Sequence, residues 1–101
     1  MTKIEIQQRN IEITDVLRTH VKDRLGLALG RFADRIGRVI VRFSQADHHP
    51  GRADMRCQIE VGLRPWSVDV EDTDADLFAA VNHAADRASR SVARALERER
   101  R

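Results

Sequence analysis

Hydrophobic and polar positions first alternate and then recur at helical spacing, and together they lay out six elements. Across Lys3 to Arg9, Ile4 and Ile6 fall on one side and Glu5 and Gln7 on the other, the period of two that marks a half-buried strand. Leu17, Val21, Leu25, Ala28 and Phe32 then follow at intervals of three or four, one continuous helical stripe. Thr14 is placed to cap that helix, and Asp15 suits its first turn. Gly26 and Gly30 weaken the second half, so fraying is expected near Gly30. Arg38 to Ser44 alternates Val39, Val41 and Phe43 against Arg38, Ile40 and Arg42, which reads as a second strand. Asp54 to Leu63 alternates most cleanly, with Met55, Cys57, Ile59, Val61 and Leu63 on its apolar side, and Trp66, Val68 and Val70 continue the pattern. Gly62 to Pro65 is therefore a tight connection with Pro65 at a strand start, and strands three and four form a hairpin. Thr73 and Asp76 fit a capping box. Leu77, Val81, Ala84, Ala88, Val92 and Ala95, widened by Phe78, Ala85 and Leu96, trace a long second helix.

The predicted order is β-α-β-β-β-α. A right-handed crossover makes strands one and two parallel if they are neighbours, and places the first helix on one sheet face with the second beside it. The fold class is thus α+β, a four-stranded mixed sheet with two helices on one face. The other face, carrying Glu5, Arg42, Arg56, Glu60, Asp69 and Glu71, is expected to meet water. Trp66 is assigned to the core on the inner strand face rather than to a base-stacking role. The length of 101 residues fits one domain, read as residues 1–101.

Composition narrows the class. Hydrophobic residues at 42% and charged residues at 34% describe a folded chain with a densely charged surface. No apolar stretch approaches the roughly 18 residues of a membrane span, and the polar start lacks a signal peptide's apolar segment. The expectation is a soluble, cytoplasmic protein with no membrane partner. The single Cys57 cannot make an internal disulfide or supply paired thiolates to zinc. The net charge of +2 hides segregation: residues 1–44 carry +4, residues 69–86 carry −6, and residues 87–101 carry +4. Of 18 basic residues 16 are arginine, whose planar fork suits phosphate, although genome composition also explains high arginine usage.

Arg87, Arg90, Arg94, Arg98 and Arg101 recur at intervals of three or four and form one ridge on the second helix. These cations repel one another; Glu97 and Glu99 relieve only part of this, Asp86 to Arg90 is one helpful pair, and a polyanion would relieve the rest. A solvated helix face is the plain alternative. Asp69, Glu71, Asp72, Asp74 and Asp76 fit no calcium loop and are read as charge favourable near a helix N-terminus. The adjacent His48 and His49 in a loop, with Cys57 on the apolar side of a strand, are not read as a metal site. His20 and His83 have no nucleophile at useful spacing, no serine elbow or glycine-rich phosphate loop is present, and so no catalytic residue, cofactor or small-molecule substrate is expected.

Three segments carry a family resemblance: Ile11-Glu12-Ile13-Thr14 running into Leu17, Arg18 and Val21; Val39-Ile40-Val41; and Asp76-Leu77-Phe78-Ala79-Ala80-Val81-Asn82 followed by Arg87, Arg90 and Arg94. With this element order, the chain resembles the ribosome hibernation-promoting factors, also called ribosome-associated inhibitor or ribosomal subunit interface proteins. The resemblance covers nearly the whole chain and points to the family's short form. It implies a fold like the double-stranded-RNA-binding domain and a binder of small-subunit rRNA near the decoding centre, where it blocks the messenger and transfer RNA sites in stationary phase or stress. It also implies that Arg87, Arg90 and Arg94 carry most of the phosphate contact, with Arg98, Lys22, Arg24 and Arg18 assisting. The chain departs from the family in three places. Gly26 to Gly30 stands where lysines are common, acids precede the second helix, and Ala84-Ala85 replaces bulkier residues, for which shallower packing is expected. The alternatives are a self-associating interaction module of the same fold, forming a weak homodimer, and a general double-stranded-RNA binder.

Overall fold

The computed structural model describes residues 3–46 and 54–100; His48, His49 and Arg101 lie outside them. Within that range the chain forms β1 (Ile4–Gln8), α1 (Asp15–Leu29), a 3-10 segment (Gly30–Arg35), β2 (Arg38–Gln45), β3 (Met55–Gly62), β4 (Ser67–Asp74) and α2 (Leu77–Glu99). The sheet order is β1-β2-β3-β4, with β1 parallel to β2 and the other pairs antiparallel. Both helices share one face of the sheet, where their buried stripes join the inward residues of the strands in one core. The expected α+β architecture is the one observed.

Register explains the two faces. Ile4, Val39, Val61 and Val68 lie opposite one another across the four strands, and so do Ile6, Val41, Ile59 and Val70. These rows face the helices. The outer face is an ionic lattice in which Glu5 pairs with Arg38 at 2.9 Å and Glu60 with Arg42 at 3.2 Å. Ile40 sits between Glu5 and Glu60 in this lattice and is buried although it lies outside the main core, so the outer face is not wholly open to water.

Thr14 caps α1 as predicted, its hydroxyl accepting from the Leu17 amide at 3.1 Å. Thr14→Ala leaves that amide without its partner and is expected to lower unfolding free energy by about 1 kcal/mol, measured by urea denaturation. The α-helix gives way to 3-10 geometry at Gly30, where fraying was expected, and Leu29 joins Leu17, Val21 and Leu25 as its fully packed positions.

The second cap lies elsewhere than expected. Pairing of β4 with β3 runs on to Asp74, opposite Met55, so Thr73 is held in the sheet and the helix starts three residues later. Asp76 is the cap, its carboxylate accepting from the Phe78 amide at 2.9 Å, while Asp74 accepts from the Asp76 amide at 2.9 Å. Pro65 belongs to the β3–β4 turn rather than to a strand start. Trp66, placed in the core by its parity, is instead 52% exposed. It lies outside β4, in the turn beyond the Gly62–Ser67 pair, where strand parity no longer sets the direction of a side chain.

Alanine shapes the packing of α2. Ala80, Ala84, Ala85, Ala88 and Ala95 are buried with Val81 and Val92, and none of the first four exposes any surface. Ala84 and Ala85, for which shallower packing was expected, expose no surface.

Candidate nucleic-acid interface

The helices run side by side in the same direction, because residues about 62 apart meet along the seam. His20 bonds Asn82 at 2.7 Å, Arg24 meets Asp86 at 3.3 Å, and Arg35 meets Glu99 at 2.7 Å. The Arg35 bond holds the Glu99 carboxyl below the usual carboxylate range. This seam corrects one expectation: Asp86 faces Arg24 across the helices and not Arg90 along its own.

At about 100° per residue, Arg94 and Arg98 lie on the flank of α2 toward β4, and Arg90 lies on the helix's outer side, about 40° round from Asp86. All three are exposed, and among the described residues they have no hydrogen-bond or ion-pair partner. Arg87 shares the row but meets Asp72 of β4 at 3.7 Å, and His83 bonds the same carboxylate at 3.2 Å. Asp72 follows Val68 and Val70 in parity, so it turns inward to α2 and its charge is spent on the helix. Period-two parity alone would have located it. Asp69 and Glu71 point to the outer face instead, with Glu71 3.7 Å from Arg56. The acidic segment is thus divided between two faces.

The α1 cations do not join the row. Arg24 is drawn into the seam, with its Nε buried and unbonded. Lys22, two residues along and so about 200° away, is exposed on the opposite flank, and Arg18 on that flank donates to Gln8 of edge strand β1 at 3.2 Å. The seven candidate cations therefore divide into a row along α2, a small group beside β1 and one seam residue.

The sheet's outer face has a shallow polar hollow lined by Arg9, Arg42, Arg56, Gln7, Ser44 and Gln58. Glu60 and Glu71 already balance two of its three cations. Among the described residues no group of three or more His, Cys, Asp or Glu side chains is placed to hold a metal ion. Cys57 is fully buried, and burial, aided by the nearby Asp72 charge, pushes its thiol up to about 12. The folded state keeps this thiol neutral while the unfolded chain ionises it at its ordinary value. Its contribution to stability is therefore intact below that value and is lost as pH climbs toward 12. A maleimide reagent at pH 8 is expected to leave the native protein unmodified and to label it fully in urea, read by mass spectrometry.

Two parallel helices on one face of a four-stranded mixed sheet, with a row of exposed arginines along the second helix, define an α+β domain of one helical layer on one sheet. The chain belongs to the family described as sigma 54 modulation protein / S30EA ribosomal protein, whose family model matches residues 4–100. It is 35% identical to the Thermus thermophilus Protein Y N-terminal domain, with a TM-score of 0.74 over 93% of this chain and 98% of that one. A ribosomal subunit interface protein from Coxiella burnetii shares the fold at 13% identity, with a TM-score of 0.78 over 93% of this chain and 97% of that one. The ribosome hibernation promotion factor of Deinococcus radiodurans is 26% identical over 82 residues, 81% of this chain. The chain spans 42% of that relative's length. No helix among the described residues is long and apolar enough to cross a membrane.

Proposed function

We propose that this domain is a ribosome-binding hibernation factor that docks on small-subunit rRNA near the decoding centre and blocks the messenger and transfer RNA sites. The observation that carries the reading is the row Arg90, Arg94 and Arg98, exposed and unpaired at intervals of about 6 Å along α2. Like charges held that close are costly alone and become favourable against a phosphate chain, which surrenders its counterions to them. Family membership and the relatives' names support the ribosome as the source of that chain. The domain acts by occupancy, as a binder and not an enzyme, where ribosomes are found in the cytoplasm.

Sedimentation of the purified protein with ribosomal subunits and whole ribosomes through sucrose, at two salt concentrations, tests this. Cosedimentation with the small subunit that weakens steeply with salt is the expected result. Equal affinity for a plain RNA duplex would favour a general duplex binder. Absence of cosedimentation at low salt, together with concentration-dependent dimers, would favour the self-associating module.

A further inference from the structure

We propose that Trp66 and Arg98 form a pocket for one unpaired nucleobase at the end of the arginine row, so that the domain grips a single-stranded RNA segment. This rests on the RNA binding proposed above. Trp66 is held by the β3–β4 turn, where the Leu63 amide donates to the Trp66 carbonyl at 2.7 Å. Its side chain shares a hollow of about 220 Å3 with Ser67, Val68, Ala95 and Arg98. That space accommodates a single planar ring and no helix. Its lining is the composition a base requires: an indole, two small apolar side chains, a hydroxyl and a guanidinium, with no acid among them.

Two further observations favour a base over phosphate alone. Trp66, 52% exposed, offers a phosphate no charge and a single N–H donor, but its indole presents a π system on which any base stacks. Phe78, the other exposed aromatic ring, is already engaged by His20, with ring centroids 5.0 Å apart, and so is not the platform. Arg98 sits one turn from Arg94, so a chain whose phosphates follow the row reaches Trp66 at the row's end. A duplex keeps the faces of its bases covered, whereas an unpaired segment offers one.

Trp66 is the only tryptophan and the chain has no tyrosine, so intrinsic emission reads this hollow alone. The test titrates the full chain with a single-stranded RNA oligonucleotide. Trp66 emission is followed with unlabelled RNA, and overall binding by anisotropy of an end-labelled copy. Inorganic polyphosphate of matching charge serves as the base-free control. Quenching that saturates together with the anisotropy, and does not occur with polyphosphate, is expected. Trp66→Ala should weaken single-strand affinity at least about fivefold, leave affinity for a blunt duplex unchanged, and be largely restored by Trp66→Phe. Thermal melts establish that both variants fold. RNA binding without quenching, or with undiminished affinity in Trp66→Ala, overturns the pocket and leaves the proposed function standing. Failure to bind the oligonucleotide also overturns the pocket, and the proposed function falls with it only if ribosome cosedimentation is absent too.

Discussion

A variant carrying Arg90→Glu, Arg94→Glu and Arg98→Glu is expected to remain at the top of a sucrose gradient under conditions where the unaltered protein travels with the small ribosomal subunit. Each phosphate contact contributes about 0.7 to 0.9 to the slope of log affinity against log salt, so losing three should flatten that slope by about 2 to 3 units. Reversal goes further than removal because glutamates in the row repel the RNA. The fold should survive, since these side chains are exposed and touch no partner among the described residues. Arg87 is left out of this variant deliberately: it meets Asp72, and Arg87→Glu would set two acids together on the α2–β4 border. Reversing Arg18 and Lys22, on the far flank of α1, is the discriminating comparison. If the α2 row is the contact surface, that change costs far less; equal losses from both variants would mean the RNA wraps the whole helical layer. Unchanged cosedimentation of the triple variant would remove the row from the interface.

The fold was legible because its signals are local periods. Alternation in β1 to β4 and recurrence in the two helices name most of the residues that are buried, and the crossover rule supplies the parallel β1–β2 pair. Where pairing decides, local rules fail. The Thr73-to-Asp76 spacing satisfies a capping box, yet ladder bonds to β3 hold Thr73 in the sheet and pass the cap to Asp76. Trp66 has inward parity, but it belongs to the turn that precedes β4, and parity directs a side chain only within a strand. The arginine row on α2 was readable from its spacing. Its separation from the α1 cations was not, because the phase of each helix about their common seam depends on tertiary contacts such as His20 with Asn82 and Arg24 with Asp86. The same seam turned Asp86 to Arg24 and so removed the pair expected with Arg90.

The largest effect on stability is expected from Phe43→Ala. Phe43 is the bulkiest of the fully buried side chains, 1% exposed, on the inner face of β2 between Gln8 and Cys57 of the neighbouring strands. β2 is a central strand, so a cavity there is walled by sheet on two sides and by the helices above, and collapse to fill it would require the sheet itself to move. Truncations at such sites cost about 3 to 5 kcal/mol, the lost transfer energy plus an unfilled cavity. Domains of this size hold about 5 to 15 kcal/mol in total, and each kcal/mol moves the melting midpoint by at least about 4 °C. Phe43→Ala should therefore lower the midpoint followed by circular dichroism by more than about 12 °C, while Val16→Ala, at a side chain 69% exposed on α1, should leave it nearly unchanged. The consequence for binding differs in kind from that of the arginine row. Phe43 is buried and lies outside the α2 arginine row, so ribosome cosedimentation of Phe43→Ala should fall only as the unfolded fraction rises on warming, and its salt slope should match that of the unaltered protein at temperatures where both are folded. A changed salt slope in the folded variant would show that the core of β2 sets the position of the α2 row, which would make the sheet part of the binding machinery and not only its support.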